Sequence, residues 1–255
     1  MNYSIESQQG RRPTMEDFHT VTSLSHGRYL FCLFDGHGGT EVSHLASTNI
    51  PIYVQTKCKK SNQLPTILVE AGVEFDKQLF NVKPTLIGTG TTSLLSVVTP
   101  QEVYIANCGD SRAILFDDNG TLLGNTIDHK PDATLEAHRI MEAGGIVFMN
   151  RVNGMIGVSR AFGDFGEGLK IKNKQYLGIK GPMTPLADSY TFPHRGYLLM
   201  ACDGLWDVMT SEEVAKWVSE RLPTNNLSDI NRELIRMAII EKGSTDNVTI
   251  MLIKL

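Results

Sequence analysis

The chain has 255 residues, 41% of them hydrophobic, enough to bury one large core or two small ones. Charged residues make up 20% and the formal net charge is −4, which excludes wholesale disorder and the strongly basic surface that nucleic-acid binding calls for. Its apolar runs are far shorter than the roughly 20 residues that span a bilayer, and no charged-then-apolar leader opens the chain, so a soluble protein without membrane or nucleic-acid partners is expected.

In chain order, Asn2–Ser7 alternates like a strand and Phe18–Val21 is strand-like. Tyr29–Phe34 is a continuous apolar run, as in a strand covered on both faces. Val42, Leu45, Ala46 and Asn49 recur at helical spacing, as do Leu68, Phe75 and Leu79. The segments Thr91–Val98 and Glu102–Asn107 are separated by Thr99-Pro100-Gln101, too short for a crossover, so they should pair antiparallel. Ala113–Phe116 runs through Asp117-Asp118-Asn119-Gly120 into Thr121-Leu122-Leu123, and Asn-Gly predicts a type I′ hairpin turn there.

Further along, Ala133, Ala137 and Ile140 mark a short helix stopped by Gly144-Gly145. The stretch Gly163–Pro185, rich in Gly and Lys, reads as an irregular loop, a lid or a mobile segment. Tyr197–Ala201 is a second continuous apolar run. Thr210-x-x-Glu213 reads as a capping box ahead of Val214, Trp217 and Val218. Ile230, Leu234, Met237 and Ala238 mark a last helix ending near Gly243, and Val248–Ile253 is the last strand. Hairpins dominate the sheet and helices come in blocks, so the class is α+β. No linker interrupts the pattern, and one domain over 1–255 is expected.

The four cysteines show no CxxC spacing. Cys32, Cys108 and Cys202 sit in apolar segments and read as buried free thiols, in keeping with a reducing, intracellular compartment, cytoplasmic or nuclear.

The informative feature is a set of acids beside glycines at strand ends. Asp35 follows Tyr29–Phe34 in FDGHGG, Asp110 follows a strand in NCGDSR, and Asp203 follows Tyr197–Ala201 in ACDGLWD. Asp246 precedes the last strand in GSTDNVT, and Glu16 and Asp17 precede Phe18–Val21. Any one of these is ordinary turn chemistry. Together they are harder to explain, because carboxylates at a core's edge must be solvated or paired, and several in one place repel unless a cation neutralises them. An all-oxygen donor set without HExxH favours Mg²⁺ or Mn²⁺ over Zn²⁺. His37 reads either as a surface residue or as a general acid or base. Arg11-Arg12 reads as solvated charge or as a phosphate-binding guanidinium near Glu16. Gly88-Thr89-Gly90-Thr91-Thr92 lacks the GK pair and the helix of a P-loop, so close strand packing is the reading for its glycines. Ser111 and Ser159 have no GxSxG elbow.

Seven blocks, GRRPTMEDFH, FDGHGG, NCGDSR, DHKP, RVNGMIGVSRAFGD, ACDGLWDVM and GSTDNVT, resemble in order the motifs of the PP2C-type (PPM) metal-dependent protein serine/threonine phosphatases, over about Ser4 to Ile253. The resemblance implies a four-layer αββα sandwich of two antiparallel sheets flanked by helices. It further implies a binuclear Mg²⁺/Mn²⁺ centre at one end, where a hydroxide bridging the two ions attacks phosphoserine or phosphothreonine in protein substrates. By position Asp35 would bridge the ions, Asp203 and Asp246 would hold the first, and Glu16 with the Gly36 carbonyl the second. Asp110 with Asp203 would form a weaker third site. Arg12 matches the phosphate-binding arginine, Asp17 the acid behind the metal ligands, and His37 the general acid. A monomer is expected. Gly163–Pro185 departs from the family pattern, with Gly181-Pro182-Met183-Thr184-Pro185 where a Pro-Glu-Pro run is usual. The rival readings are a catalytically dead binding module on the same fold and a metal-dependent nuclease.

Overall fold

The computed structural model describes residues 1–255. Ten principal strands form two five-stranded antiparallel sheets: β1 (Asn2–Gln8), β2 (Phe18–Ser23), β3 (Tyr29–Phe34), β4 (Ser93–Val98), β5 (Glu102–Cys108), β6 (Arg112–Phe116), β7 (Leu122–Asn125), β8 (Asp188–Pro193), β9 (Tyr197–Ala201) and β10 (Val248–Lys254). One sheet has the order β1-β10-β9-β6-β7 and the other β8-β5-β4-β3-β2. Helices α1 (Glu41–Cys58) and α2 (Leu64–Val82) cover the second sheet. Helices α4 (Ser211–Ser219) and α5 (Leu227–Arg236) cover the first, and α3 (Thr134–Glu142) lies in the long connection between β7 and β8. The expected αββα layering is present.

The period-2 alternation of strand side chains builds three cores at once. In β3, Phe31 and Leu33 face the other sheet, where they meet Leu198, Met200, Met251 and Ile253. Leu30, Cys32 and Phe34 face the opposite way, onto Ala46, Ile50 and Leu68 of α1 and α2. Leu199, Ala201, Ile250 and Leu252 likewise pack under Val214, Val218, Ile230 and Leu234. Both faces of the central strands are thus dry, which is why Tyr29–Phe34 and Tyr197–Ala201 are apolar throughout.

The capping box forms as predicted: Thr210 Oγ1 accepts from the Glu213 amide at 3.2 Å, and Glu213 accepts from the Thr210 amide at 2.8 Å. All four cysteines are buried and free. No helix is long and apolar enough to cross a membrane.

Three local readings differ from the structure. The 91–98 segment breaks at Thr92, because the Thr92 amide and the Thr91 hydroxyl both bond the Asp35 carbonyl. Gly90–Thr91 therefore leaves the sheet and pairs with Gly36–His37 on one side and Phe162–Gly163 on the other. The β6–β7 turn is not type I′: Gly120 has φ +80° but Asn119 does not go positive. Asp117 instead accepts from the Asn119 and Thr121 amides, and a bulge at Leu115/Phe116 absorbs the extra residue. The last helix ends near Gly243 as expected, its final turn a π turn over Met237–Glu241. Finally, Gly163–Pro185 is not a loose loop. Phe165, Leu169, Lys170 and Met183 are fully buried, and Ile171–Lys172 pairs with Gln175–Tyr176 in a hairpin.

Candidate metal centre

Antiparallel pairing gathers the acids at one end of the sandwich. Phe18 is opposite Phe34, so Glu16 and Asp17 enter β2 where β3 delivers Asp35. Ala201 is opposite both Ile250 and Arg112, so Asp203, Asp246 and Asp110 leave or enter their strands at that same end. Of the nine residues assigned from sequence, Arg12, Glu16, Asp35, Gly36, His37, Asp110, Asp203 and Asp246 all line one cleft of about 530 Å³. The ninth, Asp17, is buried and shares a cluster with Asp35.

Carboxylate oxygens of Asp35, Asp110 and Asp203 lie within 4.8 Å of one another. Burial, then repulsion from its neighbours, pushes the Asp35 and Asp203 pKa values well above the usual carboxylate range. Asp110 is raised by burial too, partly offset by Lys130, whose Nζ donates to Asp110 Oδ2 at 2.5 Å. Asp17 is raised to about 6 by burial; its Oδ2 accepts from Thr249 Oγ1 at 2.6 Å, while its Oδ1 is buried with no partner. Uncompensated negative charge, an orphaned acceptor and an all-oxygen donor set together fit a hard divalent cation. Cys202 approaches Asp17 and Asp35, but its Sγ accepts from the Thr249 amide at 3.2 Å and donates to the Asn247 carbonyl at 3.4 Å, and soft sulfur is a poor match for a hard cation.

Two assigned residues meet each other. Arg12 Nη2 donates to Asp246 Oδ2 at 2.5 Å, so the expected phosphate ligand and the expected metal ligand are paired across 234 residues of sequence. Asp246 is not one of the three tightly clustered acids. Glu16 is also outside that trio, accepting from Thr14 Oγ1 and from the Gly39 amide. At Gly36 a Cβ would lie 2.5 Å from the Glu16 carbonyl oxygen and 2.6 Å from Ser43 Oγ, so only glycine lets the two chains approach.

Three contributors were not picked out from the sequence. Asn247 accepts from the Glu16 amide and donates to the carbonyls of Gln9 and Thr14, stitching the segment carrying Arg12 and Glu16 to that of Asp246. Lys130, in the DHKP block, is the cation on Asp110. Asp164 closes the RAFGD block and is fully buried; its Oδ2 lies 2.8 Å from His37 Nε2. Burial alone would depress the His37 pKa, but the Asp164 charge and hydrogen bond outweigh it and raise the value. Asp164 sits beside a glycine as Asp35, Asp110 and Asp203 do, but it follows no long apolar strand.

The family model described as protein phosphatase 2C matches residues 1–248. The chain belongs to the protein phosphatase 2C family. Human protein phosphatase 1A is 33% identical over 277 residues, covering 99% of this chain and 70% of its own length. Human protein phosphatase 1B is 31% identical over 280 residues, and there this chain spans only 57% of the relative. Among solved structures, a phosphatase from Toxoplasma gondii superposes with a TM-score of 0.86 at 23% identity, over 98% of this chain and 91% of that one. A C. elegans sex-determining protein superposes with a TM-score of 0.84 at 22% identity, over 98% and 64%. These likenesses agree with the sandwich fold, and the 2C family is the frame for reading the cleft.

Proposed function

We propose that this protein phosphatase 2C member hydrolyses phosphoserine and phosphothreonine in proteins with the help of Mg²⁺ or Mn²⁺. The convergence of Asp35, Asp110 and Asp203 at one end of the sandwich carries the reading. Asp35, Asp203, Asp246, Glu16 and the Gly36 carbonyl are the groups we assign to two cations, with Asp110 and Asp203 at a weaker third. Divalent cations held there supply Lewis acidity, easing deprotonation of water and neutralising phosphoryl oxygens. Arg12 offers a guanidinium to the phosphate dianion once it turns from Asp246. His37, hydrogen-bonded to Asp164, is poised to donate a proton to the departing serine or threonine oxygen. Asp17, behind Asp35, holds the floor of the cleft. Buried free thiols suit a reducing compartment, cytoplasmic or nuclear.

Hydrolysis of a phosphoserine peptide with Mn²⁺, its loss with EDTA and the absence of DNA cleavage under both conditions are the expected results. DNA cleavage without peptide hydrolysis would install a nuclease instead. For His37→Gln, kcat on the phosphoserine peptide should fall about a hundredfold, while p-nitrophenyl phosphate, whose leaving group needs little protonation, loses less than about threefold. Equal losses would remove His37 as the acid. Arg12→Ala should raise KM about tenfold with kcat nearly unchanged, and a KM that does not move would take Arg12 out of the phosphate site.

A further inference from the structure

The face of α2 that carries Leu68, Phe75 and Leu79 also carries a carboxylate, Asp76, with no solvent exposure. Its partner Lys170, from the glycine-rich insert, is equally enclosed: Nζ donates to Asp76 Oδ1 at 2.8 Å and to the Ala161 carbonyl at 2.7 Å. The Gly163 amide donates to the same Oδ1 at 2.7 Å, and Tyr176 Oη donates to Oδ2 at 2.5 Å. One helix carboxylate therefore gathers bonds from Gly163, Lys170 and Tyr176, and Lys170 carries the tie on to Ala161. A buried ion pair is a poor source of net stability compared with apolar packing, so stability alone is a weak reason for this one.

What it encloses is the turn that presents Asp164 to His37. Gly163 has φ +81° and Asp164 φ +55°, two successive left-handed residues, the second with a side chain that disfavours the region. On one side the turn is held by the Asp164 amide on the Thr89 carbonyl and by the Phe162–Gly163 pairing with Gly90–Thr91. On the other side the hold comes from Asp76. A Cβ at Gly90 would lie 2.3 Å from Asp164 Oδ2 and 2.7 Å from His37 Nε2, so the pair sits directly against that ribbon.

We propose that Asp76, with Lys170 and Tyr176, is a positioning residue for catalysis: it fixes the strained Gly163–Asp164 turn so that Asp164 orients His37 toward the leaving oxygen. This rests on His37 acting as the acid. Asp76 touches neither substrate nor metal ligands. Its effect reaches the reaction through the Gly163 amide, Asp164 and the imidazole in turn.

Two charge-neutral double variants isolate the effect. Asp76→Leu with Lys170→Met removes both charges and the acceptor for the Gly163 amide. Asp76→Asn with Lys170→Met removes the charges but keeps an oxygen where Gly163 donates. In the Leu/Met protein, kcat on the phosphoserine peptide is expected to fall about tenfold relative to kcat on p-nitrophenyl phosphate. The Asn/Met protein should restore that ratio to within about twofold of the unsubstituted chain. Tyr176→Phe, which leaves the ion pair whole, should give the same selective loss at about threefold, and it carries the test if the Leu/Met protein does not fold. Losses shared equally by the two substrates would mean that the cluster only supports the fold, and would overturn the proposal. His37→Gln is measured alongside. If it discriminates between the substrates and the Asp76 variants do not, the clamp is wrong; if it does not discriminate, the assignment of the acid is wrong.

Discussion

Replacing Asp203 by Asn is expected to lower turnover of a phosphoserine peptide about a thousandfold or more with Mn²⁺ saturating, while the metal-free protein melts no lower than the unsubstituted chain. The two halves have one cause. Asp203 is held among protein atoms beside Asp110, Asp207 and Asp246, and burial followed by their charge raises its pKa well above normal. A carboxyl raised on folding stabilises the fold below its unfolded pKa, near 4, and that stability is lost as pH rises through the folded value. At neutral pH the metal-free fold therefore carries the strain of Asp203, and an amide of the same shape relieves it. Activity is lost because the same negative charge is what a cation needs. Thermal melts with EDTA and turnover with Mn²⁺ read the two effects separately. Near-normal turnover would end the assignment of Asp203 as a metal ligand.

The second large effect is on stability. Glu136 of α3 is buried, which raises its pKa, but hydrogen bonds from Arg160, Arg139 and Ser159 outweigh the burial and bring it down to about 2. Arg160 continues to Asp188, which also meets His129 at 3.2 Å, so one network ties α3 to the start of β8 and to the residue before Lys130. Glu136→Gln leaves Arg139 without a carboxylate and Arg160 with Asp188 alone, and such a loss costs about 3 kcal/mol, or roughly 10 °C in Tm for a chain of this size. The sign with pH is opposite to that for Asp203. A carboxyl lowered on folding contributes above its unfolded pKa, and the contribution drains as pH falls through the folded one. The gap between Glu136→Gln and the unsubstituted chain should therefore be full at pH 7 and shrink as pH falls from about 4.5 toward 2. Urea midpoints at pH 7 and pH 3 check this; an unchanged gap would mean the damage is packing, not charge.

Much of this was legible before the fold was seen, and the reason is local. Tyr29–Phe34 and Tyr197–Ala201 are unbroken apolar runs, so their place in the middle of a covered sheet follows from composition, and the acid ending each must lie at the rim. Thr210 and Glu213 define their cap within four residues. The readings that failed depend on distant partners. Nothing near Gly163–Pro185 tells that Lys170 is buried, because the carboxylate that receives it lies 94 residues earlier on a helix whose other inward residues are apolar. Asn119-Gly120 took a different turn because Asp117 captures the amides that the shorter turn would have used. In the cleft, the gathering of acids was readable from strand ends, but the Arg12–Asp246 pair and the Asp164–His37 contact arise only when separate loops close over one another.

The edge strand β1 joins its sheet solely through β10, with Ser7 opposite Thr249 and Gln8 opposite Val248. A chain cut before Asn247 would keep every assigned acid yet leave the first strand without a neighbour and the Glu16 segment without Asn247 to anchor it. Removing β10 would therefore release β1 and the segment bearing Arg12 and Glu16 in one stroke.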